Sequence, residues 1–333
     1  MIKIPEKSRK KIIIDFLKQN DLKNCKLIKI RQDASSRKYY RIKDKNLLLM
    51  DSISKENKNN EFIKLSKYLN SIELSAPKII AKSYNKGLFL IEDLGDLTFT
   101  NAIKSNIEEK ILYLNAVNTL VKLHTYNNYP NIPKYTFNQL LKELNIFIEW
   151  YFKENNLKLS KKSIIKWNNL WKSALNNITD NNDCIVLRDF HADNLFWLPN
   201  RKNLKKIGLI DFQDSLVGHI TYDISSLLED VRRKISSRTK ESALKKFIKL
   251  KKIKDKNLFY TNYYTITAQR NAKIVGIFIR LARRDKKTKY LKLVDRAMNI
   301  FIESLQKANQ TEILDWVYIN INKEEIKHKI CVK

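Results

Sequence analysis

The chain has 333 residues, 65 Lys+Arg against 35 Asp+Glu for a net charge of +30, and 43% hydrophobic residues, which is enough to bury a core and excludes a disordered chain. No apolar run reaches the ~20 residues that cross a bilayer. The glycines are Gly87, Gly95, Gly208, Gly218 and Gly276, so there is no Gly-x-Gly-x-x-Gly and no Walker A loop, which excludes dinucleotide-binding dehydrogenases and Walker-type ATPases.

In chain order, residues 8–18 read as an amphipathic helix with Ser8 as its cap, and the isoleucines at 12–14 run into Asp15, so a signal-peptide core is not expected there. With only Cys25, Cys184 and Cys331, a reducing cytoplasm is the expected compartment. Short β-branched or aromatic runs at 27–32, 39–43, 47–52, 79–83 and 88–91 predict strands, with a helix at 60–69 between the third and fourth. Beyond the connector Glu92-Asp93-Leu94-Gly95 the pattern turns helical, at 108–124, 137–155, 161–175, 222–234, 258–284 and 287–305. The expected class is α+β: a small β-rich N-lobe at 1–94 and a large α-helical C-lobe at 95–333. The lysine-dense stretch 245–256 interleaves Phe247, Ile248, Leu250 and Ile253 and reads as a solvated face, so neither a nucleic-acid nor a membrane partner is expected.

Two apolar strands interrupt the helices, 184–187 leading into Arg188-Asp189-Phe190-His191-Ala192-Asp193-Asn194 and 207–210 leading into Asp211-Phe212-Gln213-Asp214. Phosphoryl transfer needs an acceptor hydroxyl oriented by a carboxylate and magnesium held by hard oxygen ligands. Asp189 is the candidate base, with Asn194 and Asp211 as candidate Mg2+ ligands.

These residues carry a resemblance. The loop resembles the His-Gly-Asp-Leu-His-x-x-Asn loop of aminoglycoside phosphotransferase-like kinases at Asp189, His191 and Asn194, while Leu187 and Arg188 depart from it. The runs 33–41, 49–51, 91–96, 211–214 and 269–285 together are similar to the anomeric N-acetylmuramate/N-acetylglucosamine kinases of bacterial cell-wall recycling. That resemblance implies a bilobal protein-kinase-like fold that uses ATP and Mg2+ and phosphorylates the C1 hydroxyl of an amino sugar. A kinase for an aminoglycoside, choline or homoserine, or a non-catalytic pseudokinase, remains the alternative.

The expected nucleotide contacts are Ser35, Ser36 and Arg37 in place of a Gly-rich turn, Glu61 on the following helix, and Glu92, Asp93 and Leu94 in the connector. Met50 and Asp51 stand where such kinases carry a strand lysine. At ~100° per residue, Lys273, Arg280 and Arg284 form a basic stripe beside an apolar face, with Arg270 at its border and Asn271 inside the apolar arc. Arg270, Asn271, Arg284 and Asp214 are the expected substrate contacts, His191 a structural hydrogen-bonding residue, and Asp223 a cap or loop anchor.

Overall fold

A computed structural model of the protein describes residues 6–30, 37–53, 58–126 and 128–321, which fall into two compact units, one of residues up to 107 with 193–214 and the other of 108–192 with 215 onward. The first unit is built on a five-stranded antiparallel sheet ordered β1-β2-β3-β5-β4, with β1 at Leu27–Lys29, β2 at Lys38–Ile42, β3 at Leu47–Asp51, β4 at Ile79–Ser83 and β5 at Leu88–Glu92. Leu49, Met50, Leu88, Phe89 and Leu90 of the two central strands are buried, which is why β3 and β5 read as near-continuous apolar runs. Helix α1 (Glu6–Lys18) lays Ile13, Phe16 and Leu17 against Ile42, Leu49, Leu88 and Leu90, the three- and four-residue spacing of an amphipathic helix. It starts at Glu6, so Ser8 lies inside it instead of capping it. Helix α2 (Asn59–Ser71) buries Phe62, Leu65 and Leu69, and the short α3 (Phe99–Lys104) is capped by Thr98, whose side chain accepts from the Asn101 N–H.

A hairpin of Leu195–Trp197 and Ile207–Leu209 joins this same unit through bridges from Ser75 to Gly208 and from Thr98 to Phe196. Its fit depends on Gly208, where an added Cβ would stand 3.0 Å from Leu94 Cδ1 and 3.1 Å from Phe196 Cβ.

The second unit is helical: α4 (Glu109–Leu123), α5 (Phe137–Glu154), α6 (Lys161–Asp180), α7 (Thr221–Leu228), α8 (Ser237–Leu250), α9 (Lys256–Arg283), α10 (Val294–Lys307) and α11 (Thr311–Asn320). Thr136, Ser160, Ser236 and Asp255 cap α5, α6, α8 and α9 with side-chain oxygens, and Thr136 with Gln139 closes a capping box. The core stacks Phe147, Tyr151, Trp167, Trp171, Phe301 and Trp316. Helices α5 and α9 cross at Gly276, where an added Cβ would lie 2.4 Å from the Ile146 carbonyl oxygen. Among the described residues no helix is long and apolar enough to cross a membrane.

Several elements differ from expectation. The helix expected at 222–234 ends at Leu228, because the Asp230 carboxylate accepts the Arg232 N–H at 3.0 Å and turns the chain out of the helix. The helix expected from 287 begins as a 3₁₀ turn, Thr288–Leu293, and becomes α10 only at Val294. Helices α3, α8 and α11 were not anticipated. In α8, Leu244, Phe247 and Ile248 are buried while Lys245 and Lys249 are exposed, so part of the lysine-dense stretch is the solvated face of a helix.

Candidate active site

In the helical unit, the strand Cys184–Val186 pairs with Leu216–Gly218 and delivers the chain to Leu187, Arg188 and Asp189. Arg188 has φ 72°, the left-handed region that side-chain-bearing residues rarely adopt. Asp223, wholly buried on α7, accepts the N–H groups of Leu187 at 2.6 Å and Arg188 at 2.9 Å, the anchoring role expected of it. Burial pushes its carboxyl up to about 7 against those two bonds. Arg270 donates from Nη1 to the Arg188 carbonyl at 2.9 Å and from Nη2 to Ser226 Oγ at 2.6 Å, and lies 4.6 Å over the Tyr222 ring. The Arg188 guanidinium pairs with Glu143 and lies 5.4 Å over the Tyr135 ring. Glu143 is further held by the Tyr135 hydroxyl and by Lys273 at 3.1 Å. Burial alone would raise Glu143, but Lys273 and Arg188 bring it down to about 2. Asp189 is exposed in the midst of this scaffold, with Phe190 and His191 buried behind it and the His191 N–H donating to the Asp189 carbonyl at 3.1 Å.

In the sheet unit, the antiparallel hairpin pairs Leu195 with Leu209, and the Ile210 N–H donates to the Asn194 carbonyl at 3.2 Å. That register brings Asn194 beside the residue preceding Asp211, at the open end of the hairpin. Asp211 is exposed and has φ 61°, so both motif loops carry a left-handed non-glycine residue, a conformation that tends to cluster at functional sites. An amide oxygen and a carboxylate are hard donors of the kind a magnesium ion takes, so these two residues fit that ion. Next to Asp211, Phe212 stacks on Phe62 of α2 with ring centroids 5.4 Å apart, and the Arg37 guanidinium lies 5.4 Å over the other partner in that stack, Phe62. Arg37 is 4% exposed and hydrogen-bonds Tyr39. Burial pushes the Tyr39 hydroxyl up, with Arg37 acting against that and Asp211 adding to it.

The other expected contacts are placed as follows. Ser35 and Ser36 lie outside the described residues. Glu61 is exposed in the first turn of α2, so the residue of that turn beneath Arg37 is Phe62 and not the acid. Asp51 accepts from Arg9 Nη2 at 2.6 Å and the pair is buried, so the strand-lysine position is occupied by a structural ion pair. Glu92 accepts from Arg201 at 2.6 Å, Asp93 is bound by Arg41 and caps the Gly95 N–H at 2.8 Å, and Leu94 is buried against Gly208. Asp214 pairs with Lys58 at 2.6 Å. Asn271 is buried and donates to the Thr267 carbonyl at 2.9 Å. Arg284 lies fourteen residues along α9 from Arg270, about 21 Å at 1.5 Å per residue, and is exposed beside Asp285, so the structure does not bring the two arginines together.

Two residues of this arrangement, Arg188 and Glu143, were not among the expected contacts. Arg188 carried a signal, since it stands where the resembling loop has glycine. Glu143 carried one too, as an acid one residue off the buried Leu140, Leu144, Phe147 stripe of α5.

Residues 26–247 match the model of the phosphotransferase enzyme family. The N-acetylmuramate/N-acetylglucosamine kinase of Caulobacter vibrioides is 30% identical over 245 residues, covering 71% of this chain and 67% of that protein. The protein of the same name from Pseudomonas aeruginosa is 27% identical over 283 residues, covering 82% of this chain and 81% of that one. Among solved structures, a choline/ethanolamine kinase family protein from Mesorhizobium loti superposes with a TM-score of 0.63 at 12% identity, over 93% of this chain and 99% of that one. The ADP-bound aminoglycoside phosphotransferase APH(2'')-Ib gives 0.57 at 16% identity, over 87% and 98%. These two likenesses are of fold.

Proposed function

The chain belongs to the phosphotransferase enzyme family, and from that membership we propose that it transfers the γ-phosphate of ATP to the C1 hydroxyl of an N-acetylated amino sugar, N-acetylmuramate or N-acetylglucosamine. The acceptor class rests on relatives that carry the name of that activity. The observation that carries the chemistry is the hairpin register that sets Asn194, an amide oxygen donor, next to the Asp211 loop, a carboxylate donor.

In this reading Asn194 and Asp211 hold Mg2+, which when bound neutralises charge developing on the phosphates. Asp189, exposed on a pinned loop, accepts the proton of the acceptor hydroxyl and orients it for in-line attack. Arg37, held over Phe62, is the cation that substitutes for the strand lysine, and a ring replaces the usual carboxylate as its support. Arg270 serves the loop, since both its Nη groups are bonded to Arg188 and Ser226.

Asp189→Asn tests the base. Turnover should fall by roughly 10² to 10⁴, the range of a positioned acid–base group, with nucleotide affinity retained. Unchanged turnover removes Asp189 from the mechanism.

A further inference from the structure

Resting on the reading of Asp189 as the base, we propose that Arg188 is a positioning residue that aims Asp189, with Glu143 as its anchor. Arg188 is held from three helices, α5, α7 and α9. Its N–H donates to Asp223 of α7 at 2.9 Å. Its carbonyl accepts from Arg270 of α9 at 2.9 Å and from Ser226 Oγ of α7 at 3.3 Å. Its guanidinium is bound by Glu143 of α5 and faces the Tyr135 ring.

A residue with a side chain persists at φ 72° only where its surroundings over-determine it, and these contacts do so. The peptide linking Arg188 to Asp189 is planar and rigid, so fixing the φ and carbonyl direction of Arg188 limits where the Asp189 carboxylate can point. On the far side Phe190 is buried at 2% exposure, so Asp189 projects from between two pinned neighbours.

Glycine would adopt the same φ without strain but would leave the loop free to sample others. Arginine accepts the strain and adds a lever of its own length, ending on a carboxylate that Lys273 and the Tyr135 hydroxyl hold in turn. Burial opposes the charge on Glu143, and its cationic neighbours nevertheless keep it ionised, with a carboxyl near 2. The anchor therefore stays charged throughout the working pH range.

The test uses Arg188→Gly, Arg188→Lys, Glu143→Gln and the Arg188→Gly/Glu143→Gln double variant, each read by amide hydrogen exchange at 187–191 and by steady-state kinetics per folded molecule. In Arg188→Gly, exchange of the Arg188 to Phe190 amides should accelerate and kcat should fall on the order of 10²-fold, as for a displaced reacting group. The KM values for acceptor and nucleotide should stay within about threefold, since binding groups are untouched. Arg188→Lys should recover part of the kcat, and the double variant should lose no more kcat than Arg188→Gly alone, because the two residues act as one unit.

If Arg188→Gly does not fold, Glu143→Gln, which keeps the shape and removes the charge, carries the same test. Wild-type kcat in both variants, or a loss confined to the acceptor KM, overturns the positioning role. A wild-type protein that phosphorylates no hydroxyl overturns the functional reading instead, and the exchange of 187–191 in the variants then decides the positioning of the loop by itself.

Discussion

Replacing Asp223 by alanine separates the scaffold of the loop from its chemistry. The carboxylate is wholly buried and each oxygen accepts one backbone N–H, from Leu187 at 2.6 Å and from Arg188 at 2.9 Å. Alanine leaves both donors without an acceptor in a dry site, at about 1–3 kcal/mol each. It also deprives the buried Arg270 of a neighbouring carboxylate. A total of about 2–6 kcal/mol follows, which at roughly 2–4 °C per kcal/mol for a large domain lowers Tm by roughly 4–24 °C. Asp223→Asn keeps the volume and one acceptor oxygen but points an NH2 at the second N–H, so about half of that loss is expected. The exposed Asp189, replaced by Asn, should leave stability within about 0.5 kcal/mol of wild type while turnover falls by roughly 10² to 10⁴. Thermal melts and kcat for the three variants at one pH decide the matter. An Asp223→Ala protein that melts within about 3 °C of wild type, or one that loses turnover with no loss of stability, refutes the anchoring argument.

Asp211→Ala should abolish magnesium-dependent nucleotide binding and turnover together, as removal of a carboxylate ligand requires; nucleotide titrations with and without Mg2+ check this, and equal dependence in wild type and variant contradicts it. Gly276→Ala places a Cβ 2.4 Å from the Ile146 carbonyl oxygen, which is backbone and cannot swing away; overpacking of about 1–3 kcal/mol should exceed the ~1 kcal/mol that alanine gains in a helix, read as a lower denaturant midpoint. His124 and His219 are held neutral by burial, at about 3 and about 4. Unfolding lets them take up protons below the usual 6.5, so stability is lost as pH falls from 6.5 towards 4, by up to ~1.4 kcal/mol per unit for each histidine. His124→Leu should flatten that slope. Asp223 has the opposite sign: its raised pKa, about 7, means its contribution is present below about 4 and is lost as pH rises through 7, and Asp223→Asn should lack that slope.

The elements legible in the sequence were those with strong periodicity. Strands β3 and β5 are buried runs bounded by turns, and α5 carries both a capping box and an apolar stripe. What escaped was decided by partners distant in the chain or by very short elements. The strand at 207–209 was legible, but its three-residue partner Leu195–Trp197 was not, because it is fixed by pairing with that strand and by the bridge from Thr98, far upstream. Helix α8 does carry Leu244, Phe247 and Ile248 at helical spacing, but the lysines between them made the stretch read as a solvated face without a helix. The two aspartates of the motif loops were visible as strand-ending acids, whereas the hold on Arg188 depends on Glu143, Arg270 and Ser226, which lie 45, 82 and 38 residues away. The helical rise alone already puts Arg284, at the end of α9, about 21 Å from Arg270, whereas the contacts that engage Arg270 at the loop were not legible from periodicity.

The most direct measurement is phosphorus NMR of a reaction containing ATP, Mg2+ and N-acetylmuramate or N-acetylglucosamine, run with the wild-type protein and with Asp189→Asn. A phosphomonoester resonance coupled to the anomeric proton, formed with one ADP per sugar and at least about 10²-fold more slowly by Asp189→Asn, is the predicted result. No sugar phosphate from either sugar, with phosphorylation of an aminoglycoside or choline in its place, or equal product from wild type and Asp189→Asn, would contradict it.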